Sequence, residues 1–281
     1  MTRATLAEVL QPALSDGYAV AGVVCLGWED ARAYVSAAES ERAPIILQAG
    51  PGCRAHTPIS VIGAMFRYLA DSASVPVVLH LDHGATLDEA QAALVEGFTS
   101  IMFDGSSLPL EDNIRKTSEV VKLARSYGAS SEGEIGFVGY DSGAKSELTN
   151  PLDAMRFASE TGVDAMAVAV GNVHLQQKTG EGIDEPALTE IAKATNSRVP
   201  LVIHGGSGVP AAQRAILART SPICKFNIGT ELRMVFGQAL RQRVNDGSNE
   251  FDRLALLSSV HDPMVHSLSV ILRQIGSAGR Y

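Results

Sequence analysis

The chain alternates between short runs of apolar residues and longer segments whose apolar positions fall three and four apart. Eight strand-like runs stand out: Ala19–Leu26, Pro44–Ala49, Val75–Leu81, Ser100–Asp104, Ser130–Ile135, Asp164–Val170, Val199–His204 and Ile223–Ile228. Between them, helical spacing covers Glu29–Arg42, Pro58–Ala73, Leu87–Glu96, Leu110–Ser126, Pro151–Thr161, Glu185–Thr195 and Pro210–Arg219. Near-continuously apolar strands, each followed by a helix, predict a parallel sheet covered on both faces. Eight such units predict closure into an α/β fold, a (β/α)8 barrel of the TIM type, as one domain over residues 1–281. An open doubly wound sheet is the second choice, because no Gly-x-Gly-x-x-Gly fingerprint follows Gly22 or Gly27 near the first run. The loop from Gly136 to Glu147 is long and punctuated by glycine, and reads as a mobile lid.

In a closed barrel, catalytic groups come from the carboxyl ends of several strands, and the polar residues of this chain gather there. Asp82 and His83 end the third run, Asp104 ends the fourth, and Glu132 and Glu134 lie on the fifth. His174 follows the sixth run, His204 ends the seventh and Asn227 ends the eighth. Three imidazoles at three strand ends, His83, His174 and His204, suffice for one zinc with a position left open for substrate. His80 reads instead as a hydrogen-bonded core residue, and His56, His261 and His266 as surface or packing residues. Asp82 could orient a ligand or act in catalysis. Adjacent residues on a strand point to opposite faces, which disfavours an Asp82–His83 pair and favours catalysis, but it also requires the chain to turn at Gly84 so that both reach one cavity. The glycine-rich turns His204-Gly-Gly-Ser-Gly208 and Asn227-Ile-Gly-Thr230 offer exposed N–H groups at the corner where such barrels hold phosphate.

Composition narrows the partners. Hydrophobic residues make up 46% and charged residues 19% of the 281, enough apolar surface for a core without staples. A net charge of −8 repels phosphate backbones and anionic lipid, so neither nucleic acid nor membrane is expected, and a phosphorylated substrate needs local neutralisation. Cys25, Cys53 and Cys224 form no CxxC pair, which suits a reducing cytoplasm. The first ten residues mix charges into an amphipathic pattern, and no apolar run approaches membrane-spanning length.

Seven motifs run along the chain: Gly17-Tyr-Ala-Val20, Leu79-His-Leu-Asp-His-Gly84, Ser100-Ile-Met-Phe-Asp-Gly-Ser106, Glu132-Gly-Glu-Ile-Gly136, His204-Gly-Gly-Ser-Gly208, Lys225-Phe-Asn-Ile-Gly-Thr-Glu231 and Gly276-Ser-Ala-Gly279. Together they resemble the class II, metal-dependent ketose-bisphosphate aldolases, the group containing fructose- and tagatose-bisphosphate aldolases. The resemblance implies reversible retro-aldol cleavage of a ketose phosphate, with catalytic Zn2+ on His83, His174 and His204. It implies an alternative metal location at Asp104 and Glu134, and Asp82 as the acid/base for the hydroxyl at the bond being broken. It matches Gly205, Ser207, Asn227, Gly229 and Thr230 to the dihydroxyacetone-phosphate site, with a monovalent cation, Na+ or K+, nearby. A homodimer or homotetramer is implied as well.

The chain departs from the familiar pattern around the substrate. Leu175-Gln-Gln177 follows His174 where glycine and then tyrosine are common, and Tyr140-Asp-Ser-Gly143 stands where the lid usually has a Glu-Asp pair. Asp141 and Glu147 are the candidates to replace that acid. Ser107, Gly50 and Cys25 occupy positions where histidine, serine and asparagine are common, and Arg253 and Arg280 are the candidates for a second phosphate. The expectation is retained metal machinery with a rebuilt substrate shell. Two rivals remain, a zinc hydrolase, which lacks the usual early His-x-His pair, and a non-catalytic sugar-phosphate sensor.

Overall fold

A computed structural model describes residues 2–141, 143, 145–180, 182–246 and 249–281; Ser142 and Ala144 of the predicted lid lie outside them. A short strand, β1 (Arg3–Ala4), and helix α1 (Leu6–Asp16) precede the repeating units. The barrel strands are β2 (Val20–Val24), β3 (Ile45–Ala49), β4 (Val77–Gly84), β5 (Ser100–Phe103), β6 (Ser130–Ile135), β7 (Ala165–Val168), β8 (Leu201–Ile203) and β9 (Ile223–Ile228). Each pairs in parallel with its sequence neighbour, and β9 pairs with β2 at Lys225–Val20 through Ile228–Val23, which closes the ring. The eight predicted strands are therefore the eight barrel strands, two with the predicted bounds and the others with ends moved by at most three residues. Seven predicted helices appear as α2 (Trp28–Glu41), α4 (Ile59–Ser72), α5 (Leu87–Val95), α6 (Leu110–Ser126), α7 (Pro151–Thr161), α8 (Glu185–Ala194) and α9 (Ala211–Thr220). Helices α1, α3 (Pro51–His56), α10 (Thr230–Val244), α11 (Arg253–Ser258) and α12 (His261–Gln274) are additional.

Helix α1 closes the amino-terminal mouth of the barrel. Thr5 and Glu8 form a reciprocal capping box at its start, and Gly17, at φ 68°, ends it. Leu6, Val9, Leu10 and Ala13 then pack against Val20, Ile46, Val78, Ala165, Ala167, Val202 and Cys224 on the barrel strands. Burying Leu6 and Leu10 completely contributes about 1.5–3 kcal/mol each and seals that end with an apolar layer. Polar groups higher in the barrel are thus reached from the carboxyl end alone.

Above this layer the same alternation that buries apolar residues in a strand interior places Gln48, His80, Glu132 and Lys225 inside, then Asp82, Glu134, His204 and Asn227 nearer the mouth. At the chain's end, Arg273 on α12 pairs with Glu41 of α2, while the N–H groups of Gly279 and Tyr281 donate to Glu41 and Arg42 carbonyls. Among the described residues no helix is long and apolar enough to cross a membrane.

Candidate active site

The site begins with an irregularity in β4. Leu81 faces Ile101 and Gly84 faces Phe103, so Asp82 and His83 together oppose Met102 in a β-bulge. The turn predicted at Gly84 occurs one residue earlier: His83 itself has φ 50°, a left-handed conformation, and its N–H meets Met102 Sδ at 3.3 Å. Gly84 is needed for close approach, since a Cβ there would lie 2.8 Å from the Met102 carbonyl oxygen. The bulge lets two adjacent side chains enter one cavity. Arg54, from α3, fastens it by donating to the carbonyls of Ala49 (2.6 Å), Asp82 (2.7 Å) and His83 (3.0 Å).

His83, His174 and His204 converge. Their potential ligand nitrogens lie within 4.8 Å of one another, with ring centroids 4.7 to 5.6 Å apart. A second group of donors, His83, Asp104 and Glu134, meets the same distance criterion. His204 Nδ1 and Glu134 Oε2 are buried, 3.2 Å apart, yet not aligned to hydrogen-bond each other or anything else. Two unsatisfied buried donor atoms beside two further imidazoles suit a divalent cation with nitrogen and oxygen ligands. His83 Nδ1 bonds Asp104 Oδ2 at 2.7 Å, and Asp104 Oδ1 accepts from the Ser106 hydroxyl at 2.6 Å, so the ring orientation is fixed from outside the cluster. The backbone of His174 is tied to the predicted lid: its N–H donates to the Gly139 carbonyl, and the Asp141 N–H donates back. The Tyr140 ring stacks on the His174 imidazole at 5.1 Å.

Asp82 is buried. Its Oδ1 accepts from Gln48 Nε2 at 2.8 Å and from Asn227 Nδ2 at 3.3 Å. Burial alone would raise its pKa, but His83 and His204 outweigh it and the carboxyl ends below its ordinary value, hence ionised at neutral pH. His174 is lowered to about 3, first by burial and then by the neighbouring imidazoles, so it is neutral and able to donate a lone pair. For His204 burial is opposed by Glu134 and Glu132, which together lift the metal-free imidazole to about 10.

Beneath the histidines runs a buried chain that was not recognised from the sequence. His204 Nε2 meets Glu132 Oε1 at 3.1 Å, Glu132 Oε2 accepts from Lys225 Nζ at 2.6 Å, and Lys225 Nζ lies 3.3 Å from His80 Nε2. His80 Nδ1 pairs with Ser100 Oγ at 2.8 Å, in keeping with its reading as a core histidine. The available signal was a lysine inside the apolar run Ile223–Ile228, since a lysine is almost never fully buried unless paired.

The cavity above these groups measures about 530 Å³, and Gly205, Ser207, Asn227, Gly229 and Thr230 all line it. Gly205, at φ 64°, makes the turn after β8, where a Cβ would meet the Val173 carbonyl at 2.1 Å. The Ser207 hydroxyl accepts from the N–H groups of Gly229 and Glu231, so two amides at the start of α10 are already engaged. Leu175 also lines the cavity and holds φ 61°, the left-handed conformation glycine would adopt freely, at a cost of about 1 kcal/mol.

Other candidates fall outside. Among the described residues of the lid, Phe137 and Tyr140 line the cavity, whereas Asp141 and Glu147 are exposed and do not. Arg280 stacks on Tyr18 near Asp16, at the opposite end of the barrel, and Arg253 starts α11 away from the cavity wall. The arginine that does line it, Arg233, was missed.

A family model described as class-II fructose-bisphosphate aldolase matches residues 4–280. The chain is 32% identical to a fructose-bisphosphate aldolase of Geobacillus stearothermophilus, over 100% of this chain and 99% of that protein. It is 34% identical to a 6-phospho-5-dehydro-2-deoxy-D-gluconate aldolase of Shouchella clausii, over 98% and 95% of the two chains. The crystal structure of the YdjI aldolase from Escherichia coli K12 superposes with a TM-score of 0.88 at 29% identity, covering 99% of each chain.

Proposed function

Because this chain belongs to the class-II fructose-bisphosphate aldolase family, we propose that it cleaves and forms a carbon–carbon bond in a ketose phosphate, with zinc on His83, His174 and His204 and with Asp82 as acid/base. The observation that carries this reading is the convergence of three imidazoles with one ionised carboxylate in a barrel sealed below, His83, His174 and Asp82 on the cavity wall and His204 buried against the two histidines. A divalent ion held there supplies Lewis-acid stabilisation of the negative charge that cleavage leaves on the dihydroxyacetone-phosphate half. Asp82, held through Oδ1 by Gln48 and Asn227, accepts the hydroxyl proton in cleavage and returns it in synthesis. Glu132 and Asp104 hold the rings of His204 and His83, and Asn172 fixes the His204 carbonyl at 2.9 Å. Asp104 and Glu134, with His83, form the alternative metal location. Gly205, Ser207, Asn227, Gly229 and Thr230 receive the phosphate, with a monovalent cation beside them. The reading extends to a homodimeric or homotetrameric enzyme of the cytoplasm.

The two relatives differ in their named aldol substrates, and the wall of this cavity carries Leu26, Cys53 and Leu175, so the aldehyde half is proposed to differ from that of fructose bisphosphate. A sensor without turnover is the second reading, favoured by the absence of Asp141 and Glu147 from the cavity. The test is product analysis after incubating zinc-loaded protein with a panel of ketose 1-phosphates. Equimolar dihydroxyacetone phosphate and aldehyde are expected from at least one; release of inorganic phosphate would indicate a hydrolase, and binding without products a sensor.

A further inference from the structure

The two oxygens of Asp82 are used differently. Oδ1 is occupied by Gln48 and Asn227, whereas Oδ2 accepts no hydrogen bond from the described residues and is open to the cavity. A Cβ built on Gly50 would lie 3.3 Å from Oδ2, so this oxygen faces the turn that leads from β3 into α3. The proton that Asp82 takes comes from the hydroxyl that becomes the aldehyde carbonyl. The aldehyde half must therefore lie against that turn, while the phosphate-bearing half occupies the corner of Ser207 and Thr230.

The wall that meets the aldehyde half is uncharged and mostly apolar: Gly50, Pro51, Cys53 and, just beyond β2, Leu26. Burial, and then Asp30, push the Cys53 thiol up to about 11, so it stays neutral. Asp30 sits behind the wall, its carboxylate accepting the Leu26 N–H at 2.7 Å. Arg54 follows Cys53 in sequence but does not line the cavity, because its Nη1 and Nη2 are given to the carbonyls of Ala49, Asp82 and His83. Among the described residues on the cavity Arg233 is the one lysine or arginine, and no lysine or arginine lies outside the described residues. Its Nη2 stands 3.1 Å from the Cβ position of Gly229, at the corner already assigned to the first phosphate. A second phosphate on the aldehyde half would bring close to two more negative charges between Asp82 and Asp30, within a chain whose net charge is −8.

We propose that this wall selects an uncharged aldehyde, so that the substrate is a ketose 1-phosphate carrying a single phosphate. The inference rests on the aldolase reading for the placement of the two halves. In cleavage the hydroxyl proton passes to Asp82, and the electron pair of the broken carbon–carbon bond goes to the dihydroxyacetone-phosphate half, which takes up a proton from solvent. Asp82 then releases its own, leaving dihydroxyacetone phosphate and a neutral aldehyde. Leu26 is the place where the wall can be recharged, since it lines the cavity and is 39% exposed, so a lysine there keeps its ammonium in water.

The test is condensation of dihydroxyacetone phosphate with a matched pair of aldehydes, racemic glyceraldehyde and racemic glyceraldehyde 3-phosphate, by the metal-loaded wild type and L26K. Wild type is expected to favour the neutral aldehyde in kcat/KM by about tenfold or more, a difference of about 1.4 kcal/mol. In L26K that ratio should shrink by about threefold or more, the size of a partly exposed charge pair. A melting temperature within about 2 °C of wild type would show that the variant is folded. Equal use of the two aldehydes by wild type, or preference for the phosphorylated one, would overturn the inference and leave the aldolase reading standing. A wild-type preference that folded L26K leaves unchanged would likewise overturn the role of this wall. Failure to condense either aldehyde, together with failure to cleave any ketose 1-phosphate, would sink the aldolase reading and the inference with it.

Discussion

Replacing Lys225 with Met removes the cation that faces Glu132 at 2.6 Å inside the barrel, where both side chains are 0% exposed. Glu132 then remains buried with only two imidazoles nearby, at 3.1 and 3.7 Å. Breaking a fully buried pair by deleting one partner costs about 3–5 kcal/mol, because the surviving charge keeps its desolvation penalty and loses its nearest compensation, and in the metal-free protein the His204 imidazolium at 3.1 Å offsets part of that cost. E132Q strands Lys225 in the same way, beside a His80 that burial and Lys225 lower to about 3 and which therefore stays neutral. Against a total stability of about 5–15 kcal/mol, either loss is a large fraction. The double variant removes both charges, so its cost is expected to fall short of the summed single costs by about 2 kcal/mol or more. Urea unfolding of all four proteins at pH 7, with and without saturating zinc, measures this coupling. Zinc affinity supplies a second readout, since Glu132 also holds His204 Nε2, and E132Q should weaken it by about 10–100-fold. Single variants that each cost under about 1 kcal/mol, or strictly additive costs, would refute a tight ion pair beneath the metal site.

Asp82→Asn should lower kcat by about 10²–10⁴ while zinc content and melting temperature stay near wild type; full activity in this variant would remove Asp82 from the chemistry. Arg54→Met should destabilise the fold by about 2–4 kcal/mol, because one carbonyl at the end of β3 and two at the β4 bulge lose a charged donor, and should loosen zinc binding in parallel; urea titration and competitive chelation check both. The metal-free His204 is raised to about 10, so its proton stabilises the metal-free fold fully below about pH 6.5, and that contribution is lost as pH rises through about 10. Binding a divalent ion must displace this proton, so affinity should climb by up to about tenfold per pH unit across that window. Calorimetry at pH 8 in buffers of different ionisation enthalpy should count about one proton released; none released would contradict the assignment.

What could be read from the sequence follows from which signals are local. The barrel was legible because each strand is buried on both faces and reads as a continuous apolar run, and because histidine at the end of such a run is conspicuous. Helix α10 was not: of Thr230–Val244 only Leu232 is buried, so its apolar spacing is faint. The site residues His83, His174, His204, Asp82 and Asp104 were individually visible, and the structure brings them together, four on the cavity wall and His204 buried against His83 and His174. The supporting roles of Arg54, Glu132 and Lys225 were not, although Glu132 stood out on its strand, because they act through contacts 28 to 93 residues away in sequence. The His83 kink was misassigned to Gly84, since glycine is the usual signal for a left-handed residue and a bulge held by an arginine leaves no local mark. Arg233 escaped notice for a similar reason: an arginine in a polar helical turn looks like solvated surface until the fold sets it against Gly229.

Aldol cleavage at this site requires one divalent ion held by three imidazoles, and X-ray absorption at the zinc K-edge measures that directly. Wild type loaded with one equivalent should show three imidazole nitrogens at about 2.0–2.1 Å, falling to two in either H174A or H204A. A wild-type spectrum with one imidazole and a majority of carboxylate oxygens, unchanged by H174A, would instead place the ion on His83, Asp104 and Glu134 and contradict it.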